Sequence, residues 1–226
     1  MNVPNLVEVS ALIGDPSRSA ILLSLMDGRA LPAGELAHRA RISPQTASSH
    51  LNKLVNGGLL AVEAHGRHRY YRLSGTEVAK ALEGLLSIAP PPKIRSLRQS
   101  DEMKKLGYAR TCYDHLAGSV GVKLTESLLK RGLLEEAGQE YVLTTKGAET
   151  FTAFGVDPFP VKRGRRAFAR PCLDWTERRY HLAGSLGAAL TNRLFKLEWL
   201  EGTSSRAVKV TEAGQEGLYQ IFGVSL

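Results

Sequence analysis

Residues 43–58 read SPQTASSHLNKLVNGG, and how this stretch divides into apolar and polar positions decides the fold of the chain around it. Ser43 is placed to cap a helix, Pro44 to occupy its first turn, and Gly57 and Gly58 to end it. Ala47, Leu51, Leu54 and Val55 recur on one side, at the spacing of a helix with a buried face. The opposite side carries Gln45, Thr46, Ser48, Ser49, Asn52 and Lys53. A merely solvated face is usually built from Glu, Lys and Arg, because Ser, Thr and Asn compete with the helix for its backbone groups. Short hydroxyl and amide groups instead suit close approach to phosphates and base edges in a major groove. No acidic residue lies between Ser43 and Leu60, so nothing in the stretch repels a phosphate backbone.

Upstream, DPSRSAILLSLMDG predicts a helix capped by Asp15, opened by Pro16 and stopped at Gly28, with Ile21, Leu22 and Leu25 inward. LPAGELAHRARI predicts a second, shorter helix whose inner face is Leu36 and Ala37. Downstream, LLAVEAHGRHRYYRLS reads as a hairpin turning at His65 and Gly66. Its tip and return strand carry Arg67, His68, Arg69 and Arg72, interleaved with Tyr70 and Tyr71, and such cations can reach a neighbouring phosphate or minor groove.

Helix, turn, polar helix and basic hairpin, in that order over about residues 5–88, resemble the ArsR family of winged helix-turn-helix repressors. The resemblance implies a homodimer on a double-stranded DNA operator, with the helix at Ser43–Asn56 in the major groove and the hairpin beside the backbone. Its DNA-contacting residues would be Ser43, Gln45, Thr46, Ser48, Ser49, Asn52, Lys53, Arg67, His68 and Arg69. Family dimers pair through their first and last helices, which here would present Leu6, Val9, Leu12 and Ile13, and Val78, Leu82, Leu85 and Leu86, as an apolar stripe. One departure is the stretch LPAGELAH, which lacks the Cys-x-Cys pair that metal-sensing members often carry there.

Composition agrees with such a protein. Thirty Lys and Arg against 22 Asp and Glu give a net charge of +8, which favours a polyanionic partner. Residues 1–90 hold nine basic and seven acidic residues, so most of the excess lies further on, in part within PPPKIRSLRQSDEMKKLGYAR and PVKRGRR. No apolar run reaches the ~18–20 residues of a membrane helix, and the N-terminus has neither a basic start nor a cleavable apolar stretch; a cytoplasmic location is expected. Two cysteines are too few for a disulfide framework.

Consecutive prolines at 90–92 mark a boundary, and beyond them the chain repeats. LAGSVGVKLTESLLKRGLL aligns with LAGSLGAALTNRLFKLEWL, and YVLTTKGAETFTAFGV with AVKVTEAGQEGLYQIFGV. The expected organisation is a DNA-binding and dimerisation domain at 1–89, a linker and connecting helix at 90–109, and an effector or assembly domain at 110–226 made of copies 110–157 and 170–226. The fold class is mainly α with small β-wings (α+β): a winged helix-turn-helix, then two winged-helix-like repeats without a reading helix. Duplicated units of this size commonly pack about a local pseudo-twofold axis.

The only cysteines, Cys112 and Cys172, stand at matching places in the copies, each followed by a histidine, His115 or His181. Cys112 and His115 are three apart and would share a face of a helix, whereas the second interval is nine, so the spacing is not kept. The four residues are effector candidates with several readings: buried scaffold, a thiol sensor, or a zinc site if pseudo-symmetry gathers two ligands from each copy. Within the scaffold reading, Arg110 would pair with Asp114 and Arg170 with Asp174. Aromatic Tyr113, Trp175, Tyr180 and Trp199 fall close by and could line a pocket for a small-molecule effector. The expected function is a sequence-specific regulator, a repressor released by a small-molecule or redox signal, with no catalytic residue, metal ligand or cofactor assigned. The alternative is a thiol- or zinc-dependent sensor or enzyme centred on the Cys and His residues.

Overall fold

In the computed structural model, residues 5–66, 68–91, 94, 96–158 and 167–226 are described. Among them there are ten helices and eleven short strands, the strands joined only in small antiparallel sheets. The chain forms two compact units, residues 1–82 and 83–226. No described helix is long and apolar enough to cross a membrane.

The first unit runs α1 (Leu6–Ile13), α2 (Pro16–Ser24), β1 (Leu31–Pro32), α3 (Ala33–Ala40), α4 (Pro44–Asn56), β2 (Leu60–His65), β3 (His68–Leu73) and the start of α5 (Thr76–Ile88). The punctuation expected from the sequence is what shapes it. Asp15 accepts from the Arg18 amide at 2.9 Å and Ser43 from the Thr46 amide at 3.1 Å, each satisfying a helix-end donor that would otherwise lack a partner. Between α3 and α4, Arg41 takes a left-handed φ of 56°, and the Ile42 amide bonds back to Ala37 O at 3.1 Å. That closure makes the tight turn of a helix-turn-helix. Ile21, Leu22, Leu36, Leu51 and Leu54 have no exposed surface and form the centre of this unit. β3 pairs with both β2 and β1, giving a three-stranded wing in which His65 faces His68 at the tip.

The second unit contains α6 (Leu97–Tyr108) and then the same element order twice. Copy one is β4 (Arg110–Cys112), β5 (His115–Ala117), α7 (Gly118–Lys130), β6 (Leu134–Ala137), β7 (Glu140–Leu143) and α8 (Thr145–Ala153). Copy two is β8 (Arg170–Leu173), β9 (Tyr180–Ala183), α9 (Gly184–Lys196), β10 (Leu200–Gly202), β11 (Val208–Val210) and α10 (Glu212–Phe222). Their contacts are reciprocal. The Leu116 amide donates to Thr191 Oγ1 at 2.9 Å and the Leu182 amide to Thr125 Oγ1 at 2.8 Å. The Val208 amide donates to Ala109 O at 2.9 Å and the Tyr141 amide to Ala169 O at 3.0 Å. One apolar core runs through both copies, including Leu124, Phe151, Leu190 and Phe222.

This packing explains the repeated HLAGSxG. Gly118 and Gly184 open α7 and α9 with φ of +79° and +92°, a region L side chains rarely adopt. Three residues on, a Cβ at Gly187 would lie 2.4 Å from Leu182 O, and one at Gly121 2.5 Å from Leu116 O. Both obstacles are backbone and cannot swing aside. Gly187→Ala is therefore expected to destabilise the protein by about 1–3 kcal/mol, read by urea unfolding; an unchanged midpoint would refute this account of the motif.

The structure differs from the sequence expectation at two places. Cys112 and His115 lie on a β-hairpin, not a helix, directly opposite each other across β4 and β5. The ion pair also runs between copies: Arg110 Nη2 donates to Asp174 Oδ2 at 2.9 Å, both side chains fully buried, rather than pairing with Asp114. The aromatic groups at 175 and 199 are packing elements. Trp175 lies under the Arg110 guanidinium, 4.6 Å from ring centroid to Cζ, and Trp199 packs on Phe154 with ring centroids 5.3 Å apart.

Candidate functional site

α4 is fixed from beneath by Ala47, Leu51 and Leu54, all without exposed surface. Ser43, Gln45, Thr46, Ser48, Ser49, Asn52 and Lys53 are all exposed. Three hydroxyls are already engaged locally: Ser43 Oγ and Thr46 Oγ1 meet at 2.8 Å, and Ser48 donates to Pro44 O at 3.0 Å. Gln45, Ser49, Asn52 and Lys53 make no side-chain hydrogen bond or ion pair with other described residues, leaving them free for an external partner. Their rigid helical placement, with no carboxylate among them, suits contact with a polyanion.

On the wing, His68 and Arg69 are exposed next to the turn, where Gly66 has φ +61°. Arg67 lies outside the described residues. Arg72, counted in the sequence as part of the basic hairpin, instead bonds Glu63 across β2 and β3, and this partner holds the Glu63 carboxyl below its usual range. Its charge is spent within the wing. The signal for that pairing was Glu63 itself, one strand away at a position only register reveals.

The apolar residues expected at a dimer face divide. Leu6, Val9 and Leu85 are exposed, as are Val7 and Ile88, which the sequence reading did not single out. Leu12, Ile13, Val78 and Leu86 are half-buried. Leu82 is only 4% exposed, so its side chain belongs to the chain's own interior and not to an open stripe. α1 is held at its C-terminal end by Arg18, which donates to Leu12 O and Ala11 O, each at 2.7 Å.

In the second unit, Cys112, His115, Cys172 and His181 come together. Cys172 faces His181 across β8 and β9 as Cys112 faces His115 across β4 and β5. The two Sγ atoms are 4.0 Å apart and the imidazole centroids 5.1 Å apart. Its bond to Cys172 and burial push the Cys112 thiol well up, while Cys172 is held far below the ordinary thiol range by Cys112 first and then by both histidines. Burial works against a charged His181, but Asp174 and Cys172 outweigh it and raise its pKa.

Asp174 joins this cluster to the Arg110 pair. Its Oδ2 accepts from Arg110 and from the Gly118 amide at 2.7 Å, and its Oδ1 from the Thr176 amide at 2.9 Å and hydroxyl at 2.6 Å. His181 Nδ1 stands 3.4 Å from Oδ2, close enough for attraction but outside hydrogen-bond geometry. Burial alone would raise this carboxyl; the neighbouring His181 and the Arg110 charge hold it well below the carboxylate range.

A capped helix-turn-helix followed by a wing, with a polar acid-free face on its second helix, defines a DNA-binding regulator of the winged type. A model described as a helix-turn-helix domain matches residues 13–63. Over 213 residues, 94% of each chain, the sequence is 52% identical to the Bacillus subtilis (strain 168) protein named "Uncharacterized HTH-type transcriptional regulator YdfF". It is 32% identical over 75 residues, 33% of this chain and 82% of the relative, to the transcriptional repressor SdpR of the same organism. Among solved structures, HlyU from Vibrio cholerae N16961 is similar at 33% identity and a TM-score of 0.33, covering 35% of this chain and 85% of that one. The chain belongs to the helix-turn-helix transcriptional regulators.

Proposed function

We propose that the chain acts as a homodimer that reads a double-stranded DNA operator through α4 and the wing, represses transcription there, and is released by a signal received in residues 110–226. The observation that carries this is the outer face of α4: Gln45, Ser49, Asn52 and Lys53 exposed, uncommitted and unopposed by acid, on a helix whose inner face is fully buried. Ser43, Thr46 and Ser48 flank them, and His68 and Arg69 extend the basic surface. Apolar Leu6, Val7 and Val9 of α1, and Leu85 and Ile88 of α5, left open to solvent, support self-association. A relative named a repressor supports the sign of regulation. No residue is given a catalytic role.

Contacts within the second unit support a route for such a signal. Arg206 Nη1 donates to Glu83 Oε1 of α5 at 2.9 Å, and Arg178 bonds Ser87 O of the same helix. The backbone of Arg206 accepts from the Thr111 amide at 3.0 Å, beside Cys112. A change at Cys112 would thus bear on α5, provided the signal binds two states of the unit unequally.

The test is operator selection from random duplexes by the full chain, with its mass in solution measured alongside. A dimer with a preferred sequence is expected; a monomer indifferent to sequence at moderate salt would end the proposal. Arg69→Ala should weaken binding to all duplexes alike and flatten the log–log salt dependence by about 1. A change confined to one sequence would place Arg69 on a base instead.

A further inference from the structure

The four side chains gathered from the two copies have the composition and reach of a closed metal site. One ligand atom from each of Cys112, His115, Cys172 and His181 lies within 4.8 Å of all the others. A tetrahedral zinc with bonds of about 2.3 Å to sulfur and 2.0–2.1 Å to nitrogen has ligand–ligand edges of roughly 3.4–3.8 Å. The observed Sγ–Sγ distance of 4.0 Å is near that already. None of the four is more than 9% exposed.

The histidines are set up for it. His115 Nε2 and His181 Nε2 are buried and have no hydrogen-bond partner among the described residues, an arrangement a folded protein rarely tolerates in a polar ring. On the other side of each ring a carboxylate stands near Nδ1: Asp114 at 3.3 Å from His115 and Asp174 at 3.4 Å from His181. A carboxylate behind a ligating imidazole orients the ring and raises its basicity, a common outer-sphere arrangement at zinc.

We propose that Cys112, His115, Cys172 and His181 bind one zinc ion that clamps the two copies of the second unit together. Two thiolates and two imidazoles favour zinc over hard cations such as magnesium or calcium. Four protein ligands complete the tetrahedron and leave no position for a water or substrate, so the ion is a structural clamp and not a hydrolytic centre. Each hairpin contributes one Cys and one His, so neither copy can hold the ion alone. The site stands apart from the DNA-binding reading: a chain that held zinc and ignored DNA would keep it.

The test uses the full chain, reduced and stripped with chelator, then reloaded with zinc or cobalt(II). Expected are about one zinc per chain and, with cobalt, the visible bands of a tetrahedral thiolate-containing site. With free zinc some thousandfold above its Kd, the thermal midpoint should rise by about 8 °C or more. Cys172→Ser and His181→Ala should each lose stoichiometric metal. Since either variant could misfold, the wild-type chain supplies a second measurement: zinc should slow the reaction of both thiols with a disulfide reagent by at least ~10-fold. Zinc below ~0.2 per chain in folded wild-type protein would overturn the site. So would thiol rates that zinc leaves unchanged, or a Cys112–Cys172 disulfide that forms equally fast with and without it.

Discussion

Asp174→Ala should unfold the second unit under conditions where the wild-type chain is stable, at a cost of about 3–5 kcal/mol. The carboxylate is fully buried and is the only described acidic partner of the equally buried Arg110. Removing it strands a guanidinium that cannot lose its proton, and leaves the amides of Gly118, Thr176 and Glu177 without their acceptor. Arg110 would keep only its bonds to Leu106 O at 3.0 Å and Thr176 Oγ1 at 3.2 Å, neither of which balances its charge. Asp174→Asn keeps one acceptor oxygen, turns the other into an NH2 donor and removes the charge, and should fall between the two. Denaturant unfolding of all three proteins measures the series. If Asp174→Ala cost less than about 1 kcal/mol, water would have to reach Arg110, contrary to its burial.

The second large effect is on binding. Ser49→Glu is expected to weaken duplex binding by about 100-fold or more at moderate salt, because a carboxylate on the outer face of α4 would meet phosphate at close range. Ser49 is exposed and uses its side chain for no described contact, so the folded chain should be unaffected, as its thermal midpoint would report. Ser49→Ala serves as the control and should alter sequence preference more than overall affinity. Full binding by the glutamate variant would mean that α4 does not face the groove.

Much of the first unit is legible in its sequence. Asp15 with Pro16, and Ser43 with Pro44, announce helix starts through chemistry confined to neighbouring residues, and α2 and α4 begin where these signals stand. The apolar spacing of Ala47, Leu51 and Leu54 fixed which face of α4 is buried, and with it which face is left outward. Arg72 and Leu82 were harder. Whether an arginine on a wing is free depends on what register sets diagonally across from it, and whether a leucine of a helix is covered depends on chain that arrives from elsewhere.

The Cys and His residues show why spacing misleads. An interval of three in copy one looks helical, and an interval of nine in copy two looks unrelated. Both residues nonetheless face each other across a hairpin, because the longer loop from Asp174 to Arg179 lies outside the paired register. The turn in copy one, Tyr113–Asp114, lacks the Asn-Gly or Asp-Gly pair that marks a tight hairpin, and Tyr113 is held at φ +60°.

By itself the sequence determined the helix-turn-helix, its wing and the outward residues of α4, because caps, helical periodicity and tight turns act over a few positions along the chain. It also carries the internal alignment that accompanies the repeated element order of the second unit. Only the tertiary structure decided that Arg110 pairs with Asp174, and that Cys112, His115, Cys172 and His181 meet at one point. Those contacts join residues some sixty positions apart, and they arise when two copies bury their hairpins against each other, a geometry that no local pattern of residues encodes.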